Sequence, residues 1–169
     1  MYWLLEIELR RLLHFNVIEH PTSDWTLQQL REALRSDQDY KFLLHDRHKS
    51  FSNSLDETVE SWGIRVLRSP VRTPTANAHC ERLIGSIRRE CLDYLIPLNA
   101  SHLQRTLRGW ACHYNARRPH RSLGPGIPGR VQQAHAISKQ PAQLSSTSRV
   151  ITKAILGGLH HEYRSAEAP

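Results

Sequence analysis

The stretch from Asp46 to Glu81 constrains the fold more than any other part of the chain. Asp46 follows the apolar run at residues 40–44, which predicts a short buried strand ending at this carboxylate. Glu81 falls in the first turns of a predicted helix, on the edge of an apolar stripe made by Cys80, Leu83, Ile84, Ile87, Cys91 and Leu95. The pattern therefore predicts one carboxylate at a strand end and a second on a helix edge.

Such a pair could hold divalent cations for phosphodiester chemistry. Mg²⁺ takes oxygen ligands and keeps several waters, so single carboxylates from separate elements suit it. Two such metals about 3.5–4 Å apart can activate a nucleophile and stabilise the leaving oxygen. From the two carboxylates alone the simpler interpretation is favoured, in which Asp46 caps a turn and Glu81 is a solvated helix charge.

The surrounding motifs point to a family. HDR, WGIRVLRSP, NAHCERLIGSIRREC and HYNARRPHRSLG follow one another over roughly residues 10–125. This order resembles the retroviral-integrase-like core of bacterial insertion-sequence transposases. The resemblance implies an α/β fold with a ribonuclease-H-like mixed sheet flanked by helices. It also implies an Asp-Asp-Glu triad whose second and third members match Asp46 and Glu81, with 34 residues between them. Both would be catalytic and metal-binding, with Mg²⁺ or Mn²⁺ as cofactor. Arg47 and His48 depart from the Asn-Gly or Arg-Asp that often follows the second Asp.

The resemblance leaves the first carboxylate of the triad unmatched. Residues 2–9 and 11–19 predict two strands joined near Arg10, and they match the second and third strands of the family. The first strand would then lie before Met1, and no Asp occurs before Asp24. Glu6 or Glu8 could substitute only from the wrong strand. We therefore expect an N-terminally truncated core, missing its first strand and inactive alone.

Further helices are predicted at roughly 24–35, 51–62 and 101–116, with a fourth short strand at 64–67. The aromatic residues of the last helix are expected to pack in the core rather than stack on DNA. The domain organisation expected is a core at 1–123, a flexible linker at 124–150, rich in Gly, Pro, Gln, Ala and Ser, and a C-terminal tail at 151–169.

Basic residues outnumber acidic ones, at 23 against 16, for a net charge of +7 and a pI near 9.8. An excess of this size indicates a polyanionic partner, although it is also compatible with mere solubility. The residues expected to contact double-stranded DNA are Arg82, Arg88, Arg89, Arg117, Arg118, His120 and Arg121. The alternatives are a solvated basic helix face for the first three and a structural turn for the rest.

Other classes are excluded or disfavoured. The three cysteines form no CxxC pair, which argues against a zinc ribbon or a disulfide framework. The sequence shows no signal peptide and no apolar run of membrane-spanning length, so a cytoplasmic protein without membrane contact is expected.

Three interpretations of function remain open. The first is DNA integration or transposition by two-metal strand transfer, with DNA, a second copy or full-length transposase as partners. The second is a non-catalytic remnant that binds DNA or pairs with a transposase. The third is a fragment that folds poorly.

Overall fold

The computed structural model describes residues 1–34, 38–70, 77–124, 126–130 and 148–167. The chain divides into two compact units, which are Met1–Leu5 with Leu13–Gly85 (unit 1) and Glu6–Leu12 with Ser86–Pro169 (unit 2). The described residues form six strands and four α-helices, in the order β1 (Tyr2–Glu6), β2 (Arg11–Asn16), α1 (Ser23–Ala33), β3 (Phe42–His45), α2 (Asn53–Ser61), β4 (Arg65–Arg68), α3 (Ala78–Glu90), α4 (Ala100–Ala116), β5 (Ser148–Ile155) and β6 (His160–Glu167). The predicted mixed α/β class is confirmed.

Local sequence signals set the boundaries in unit 1. The hydroxyl of Thr22 accepts a hydrogen bond from the backbone N–H of Trp25 and caps α1, and Ser52 caps α2 in the same way through Leu55. Gly63 adopts a φ of +84°, which ends α2 and turns the chain into β4. The predicted elements are therefore present, with ends that differ by one to three residues.

The strands of unit 1 do not join into one sheet. β1 pairs with β2, and β3 pairs in parallel with β4, with His45 opposite Arg68 at the end. Leu30, Leu43, Leu55, Val59 and Ile64 form the core beneath β3 and β4. The expected single mixed sheet is thus two separate strand pairs, because among the described residues no strand bonds to the second edge of β1 or β3.

Unit 2 is built around α4. Leu107, Trp110 and Tyr114 of α4 are buried, which confirms that its aromatic residues belong to the core. β5 and β6 form an antiparallel hairpin, so much of the predicted tail is regular structure. Of the predicted linker, residues 125 and 131–147 lie outside the described residues, as do residues 71–76 of the loop before α3. No helix in the described ranges has the length and apolar character needed to cross a bilayer.

Candidate functional site

Asp46 immediately follows β3 and is exposed. One of its carboxylate oxygens, Oδ1, accepts a hydrogen bond of 3.0 Å from the backbone N–H of His48. This is the turn-capping contact that the simpler interpretation expected. An ionised carboxylate has about four acceptor positions, so this single bond leaves capacity for a cation.

The two residues that depart from the family pattern hold the turn after Asp46. The Arg47 side chain donates through Nε to the backbone carbonyl of Ser69, at 3.1 Å. His48 Nδ1 lies 2.9 Å from the hydroxyl of Ser50, which is itself buried. Arg47 and His48 therefore contribute to the conformation that presents the Asp46 carboxylate.

A buried polar network lies beneath Asp46, and sequence reasoning missed it. His45 Nδ1 lies 2.5 Å from the Asp46 carbonyl oxygen, and its Nε2 lies 3.0 Å from Asp56 Oδ1. Arg68 Nε donates to the other Asp56 oxygen at 2.7 Å, and the Phe51 ring stacks on His45 at 4.2 Å. Both ring nitrogens of His45 therefore lie within hydrogen-bond distance of an oxygen atom. The available sequence signal was Asp56, an acid beside the apolar face of α2.

Glu81 lies in the first turn of α3 and is exposed. The pKa of the neighbouring Cys80 thiol is affected by both candidate carboxylates. Burial raises the pKa of the Cys80 thiol, and the negative charges of Asp46 and Glu81 raise it further. A carboxylate from a strand end and one from a helix therefore act electrostatically on the same sulfur atom.

A cavity of about 420 Å³ in unit 1 adjoins this region. Its walls include four consecutive residues at the start of the chain, Met1–Leu4, and the last three residues of β3 together with Asp46, which follows them. Successive side chains of a strand point to opposite faces, so contact with consecutive residues means that strand edges line the cavity. The wall also includes Asn77, Cys80 and Ile84.

The position of Ile84 corrects the predicted apolar stripe of α3. Leu83, Ile87 and Cys91 are buried as expected, but Ile84 is 42% exposed. The physical reason is the cavity, because Ile84 lines it instead of packing against another element. The helix also ends at Glu90, and a 3₁₀ turn at Leu92–Tyr94 follows.

The donor chemistry of Asp46 and Glu81 fits a hard divalent cation. Magnesium is commonly bound through one or two carboxylates, with waters and substrate phosphates as the remaining ligands. Within the described residues, however, no group of three His, Cys, Asp or Glu side chains is arranged to hold a metal ion. The two carboxylates are therefore suitable ligands for a divalent cation, but they do not form a three-residue metal site within the described residues.

The arginines predicted to contact DNA fall into two groups. Arg82, Arg88 and Arg89 are exposed on α3, and Arg88 Nε lies 3.9 Å from an Asp93 carboxylate oxygen. Sequence reasoning missed Arg105 and Arg108, which are exposed on α4, a helix without acidic residues. The exposed arginines of both helices are placed where phosphates could reach them.

The arginines after α4 are engaged within unit 2. Arg118 forms a two-pronged ion pair with Glu90, with Nη2 to Oε1 at 2.6 Å and Nε to Oε2 at 3.1 Å. Arg117 Nε lies 3.4 Å from a carboxylate oxygen of Glu162. Their charges are thus largely compensated, as the structural-turn alternative expected.

His120 and Arg121 behave differently from each other. Burial, together with the nearby Arg118 charge, lowers the pKa of His120 to about 4. Its Nε2 atom is buried and finds no hydrogen-bond partner among the described residues. Arg121 is exposed in a 3₁₀ turn. Of the four predicted contacts in this motif, Arg117 and Arg121 are exposed, and Arg117 lies against Glu162.

Comparison with known proteins adds two findings. Residues 62–128 match the family model of the integrase core domain, a range that includes Glu81 but begins after Asp46. An uncharacterized 31.7 kDa protein of insertion element IS407 from Burkholderia multivorans (strain ATCC 17616 / 249) is 29% identical to this chain over 112 residues. The match covers 66% of this chain and 38% of that protein, so the chain spans well under half of its relative.

Proposed function

We propose that this chain, which carries an integrase core domain of the kind found in insertion-sequence transposases, binds DNA and contributes Asp46 and Glu81 to a strand-transfer site. The observation that carries the proposal is the cavity whose wall includes Asp46 after β3 and Cys80, the neighbour of Glu81, at the start of α3. It supports a site in which a strand end and a helix start converge beside one cavity.

Integrase core domains generally use divalent metal ions. In this chain Asp46 and Glu81 would hold the cation, which when bound supplies Lewis-acid activation of the attacking oxygen and charge stabilisation of the leaving oxygen. His45 fixes the backbone of Asp46 through the 2.5 Å contact with its carbonyl oxygen. The backbone N–H of His48 orients the carboxylate itself. These contacts pre-organise one ligand before any cation arrives.

We further propose that the site is incomplete and that the described chain lacks strand-transfer activity alone. Two carboxylates supply less negative charge to balance bound cations than three would, so cation occupancy should be low. Within the part of the chain that the structure describes, β1 and β3 each pair on one edge and both contribute residues to the cavity wall, which supports the idea that a further strand belongs between them.

The catalytic proposal is tested with DNA strand cleavage and joining assays in Mg²⁺ or Mn²⁺. We expect no product from the chain alone. Fusing an upstream Asp-bearing strand from a related integrase core should restore joining, and Glu81→Gln in that fusion should abolish it. Robust joining by the unextended chain that is lost on changing Glu6 or Glu8 would show that the strand assignment is wrong.

The DNA-binding proposal rests on the exposed arginines of α3 and α4. Raising the salt from about 50 to about 200 mM should weaken duplex binding by roughly tenfold or more if several phosphates are neutralised. Replacing Arg88 and Arg89 by Gln should reduce the slope of log affinity against log salt by about 0.9 per lost contact. Arg121→Gln should reduce it likewise. Arg118→Gln is the matched control, because Arg118 is already paired with Glu90. Salt-independent binding would refute this proposal.

A second candidate is a non-catalytic module that binds DNA or pairs with full-length transposase. The open strand edges favour it, since an extended segment of another chain could bond to them. The strand-fusion experiment separates the two candidates. A fused chain that gains stability but no Mg²⁺-dependent joining would favour the module.

A further inference from the structure

The segment between α3 and α4 displays three large apolar side chains at the surface. Tyr94 is 68% exposed, Ile96 is 85% exposed and Leu98 is 80% exposed. Tyr94 ends the 3₁₀ turn, and Ile96 and Leu98 follow in the connection to α4, whereas Leu95 is only partly exposed. We call Tyr94, Ile96 and Leu98 the apolar ridge. Large apolar side chains that are exposed close together in one segment can mark an interaction surface.

The backbone beneath the ridge is fixed by hydrogen bonds at both ends. The N–H of Leu95 donates to the carbonyl oxygen of Leu92 at 3.2 Å, and the N–H of Leu98 donates to His102 Nδ1 at 3.2 Å. Asn99 then caps α4 by accepting from the N–H of His102 at 2.8 Å. The ridge is therefore presented by an ordered connection between two helices.

The net charge of the chain segment that carries the ridge favours one kind of binding partner. Residues 86–121 contain seven arginines and two carboxylates. Glu90 pairs with Arg118, Asp93 lies near Arg88, and Glu162 of β6 lies against Arg117, so the seven arginines outnumber the carboxylates beside them. This surplus of positive charge favours a polyanion and disfavours a second copy of the same surface, which would bring like charges together.

We propose that the apolar ridge contacts the faces of unstacked bases in DNA, while the arginines of the same unit contact the flanking phosphates. Apolar side chains inserted at a base step, and aromatic side chains stacked on exposed bases, are established ways of holding distorted DNA. The proposal rests on the DNA-binding function proposed above and adds to it a preference for locally opened DNA.

The test compares two DNAs of equal length and charge in a fluorescence anisotropy titration. One is fully paired, and the other carries a central run of three mismatched pairs. We expect the chain to bind the mismatched DNA about fivefold or more tightly, within the range that base stacking contributes. Substituting Tyr94, Ile96 and Leu98 together by Ser should remove this preference and change fully paired binding less than about twofold. The single substitution Ile96→Ser should remove part of it.

A matched control is available in β6. Tyr163 is 67% exposed, nearly the same as Tyr94, but lies outside the ridge. Tyr163→Ser should leave the preference intact, whereas Tyr94→Ser should weaken it. As a second readout, 2-aminopurine placed at the mismatch should change fluorescence on binding the unmodified chain and not on binding the triple variant.

Three results would overturn the inference. The first is equal affinity of the unmodified chain for both DNAs, with duplex binding retained, which would leave the proposed DNA-binding function standing. The second is a preference that survives the triple substitution. The third is sedimentation showing a dimer that this substitution dissociates, which would assign the ridge to a second copy. Absence of binding to either DNA would refute the proposed DNA binding together with this inference.

Discussion

Replacing Asp56 by alanine should destabilise unit 1 far more than any nearby surface substitution. The Asp56 side chain is 8% exposed, and its two oxygens accept from His45 and Arg68. Alanine removes both acceptors. It leaves the His45 ring, whose side chain is 3% exposed, with a buried N–H that has lost its partner.

The magnitude follows from the burial of each partner. Breaking a buried ion pair by removing one member costs about 3–5 kcal/mol. The Arg68 side chain is 41% exposed, so water can replace part of what it loses. We therefore expect a loss near the lower end, about 3 kcal/mol in the free energy of unfolding. Asp56→Asn keeps an acceptor oxygen for His45 but removes the charge, and should cost about 1–2 kcal/mol.

Hydrogen exchange of the α2 and β3 amides, measured by mass spectrometry, reports on unit 1 directly. Urea unfolding followed by circular dichroism provides a second measurement. The matched control is Glu57→Ala, because Glu57 is the next residue of the same helix and is exposed. That change should stay within about 0.5 kcal/mol. Equal effects of Asp56→Ala and Glu57→Ala would refute the assignment of a stabilising network beneath Asp46.

Two further predictions use the pKa shifts. Asp46→Asn removes a negative charge that raises the pKa of Cys80, so Cys80 should react faster with iodoacetamide at a fixed, mildly alkaline pH. The reaction rate of Cys91, whose pKa is raised by burial, should not change. An unchanged Cys80 rate, measured by site-resolved mass spectrometry, would contradict the proposal that Asp46 lies near Cys80. For His120, the folded-state pKa of about 4 lies below the ordinary 6.5. The unfolded chain therefore takes up a proton that the folded chain does not as the pH falls from about 6.5 to about 4, and stability should decline across that window. His120→Gln should reduce this decline by about 1 kcal/mol, since partial exposure screens the effect; an unaltered pH dependence of the urea midpoint would count against it.

Local signals explain why much of the fold was predictable from the sequence. Caps at Thr22 and Ser52, the glycine at 63 and helical apolar spacing act over a few residues, and the helices predicted from that spacing are present. The Asp56 network was not predictable in this way. It depends on a strand end, a helix and a second strand that meet only in three dimensions, and no spacing along the chain encodes that meeting.

The basic motif after α4 shows that the sequence alone also cannot tell which arginines are paired within the fold. From the sequence, Arg117 and Arg118 are indistinguishable from Arg88 and Arg89 as candidates for phosphate contact. The structure separates them, because Glu162 and Glu90 lie against the first pair. Glu162 is distant in sequence, and only the β5–β6 hairpin brings it to α4.

The features of unit 1 that are unusual for a protein core lie around the cavity. Ile84 belongs to an apolar stripe yet lines the cavity, and the negative charges of Asp46 and Glu81 both raise the pKa of the partly buried Cys80 thiol. The strand residues that line the cavity belong to β1 and β3, each of which pairs on one edge among the described residues. The exposure of Ile84 forgoes the stabilisation that burial of an apolar side chain gives. Local violations of this kind are expected where a site must accept something else. Under the proposed function, a further strand would pair with β1 and β3, and a bound cation would offset the negative charges of Asp46 and Glu81. The same cavity therefore accounts for both the structural cost and the proposed chemistry.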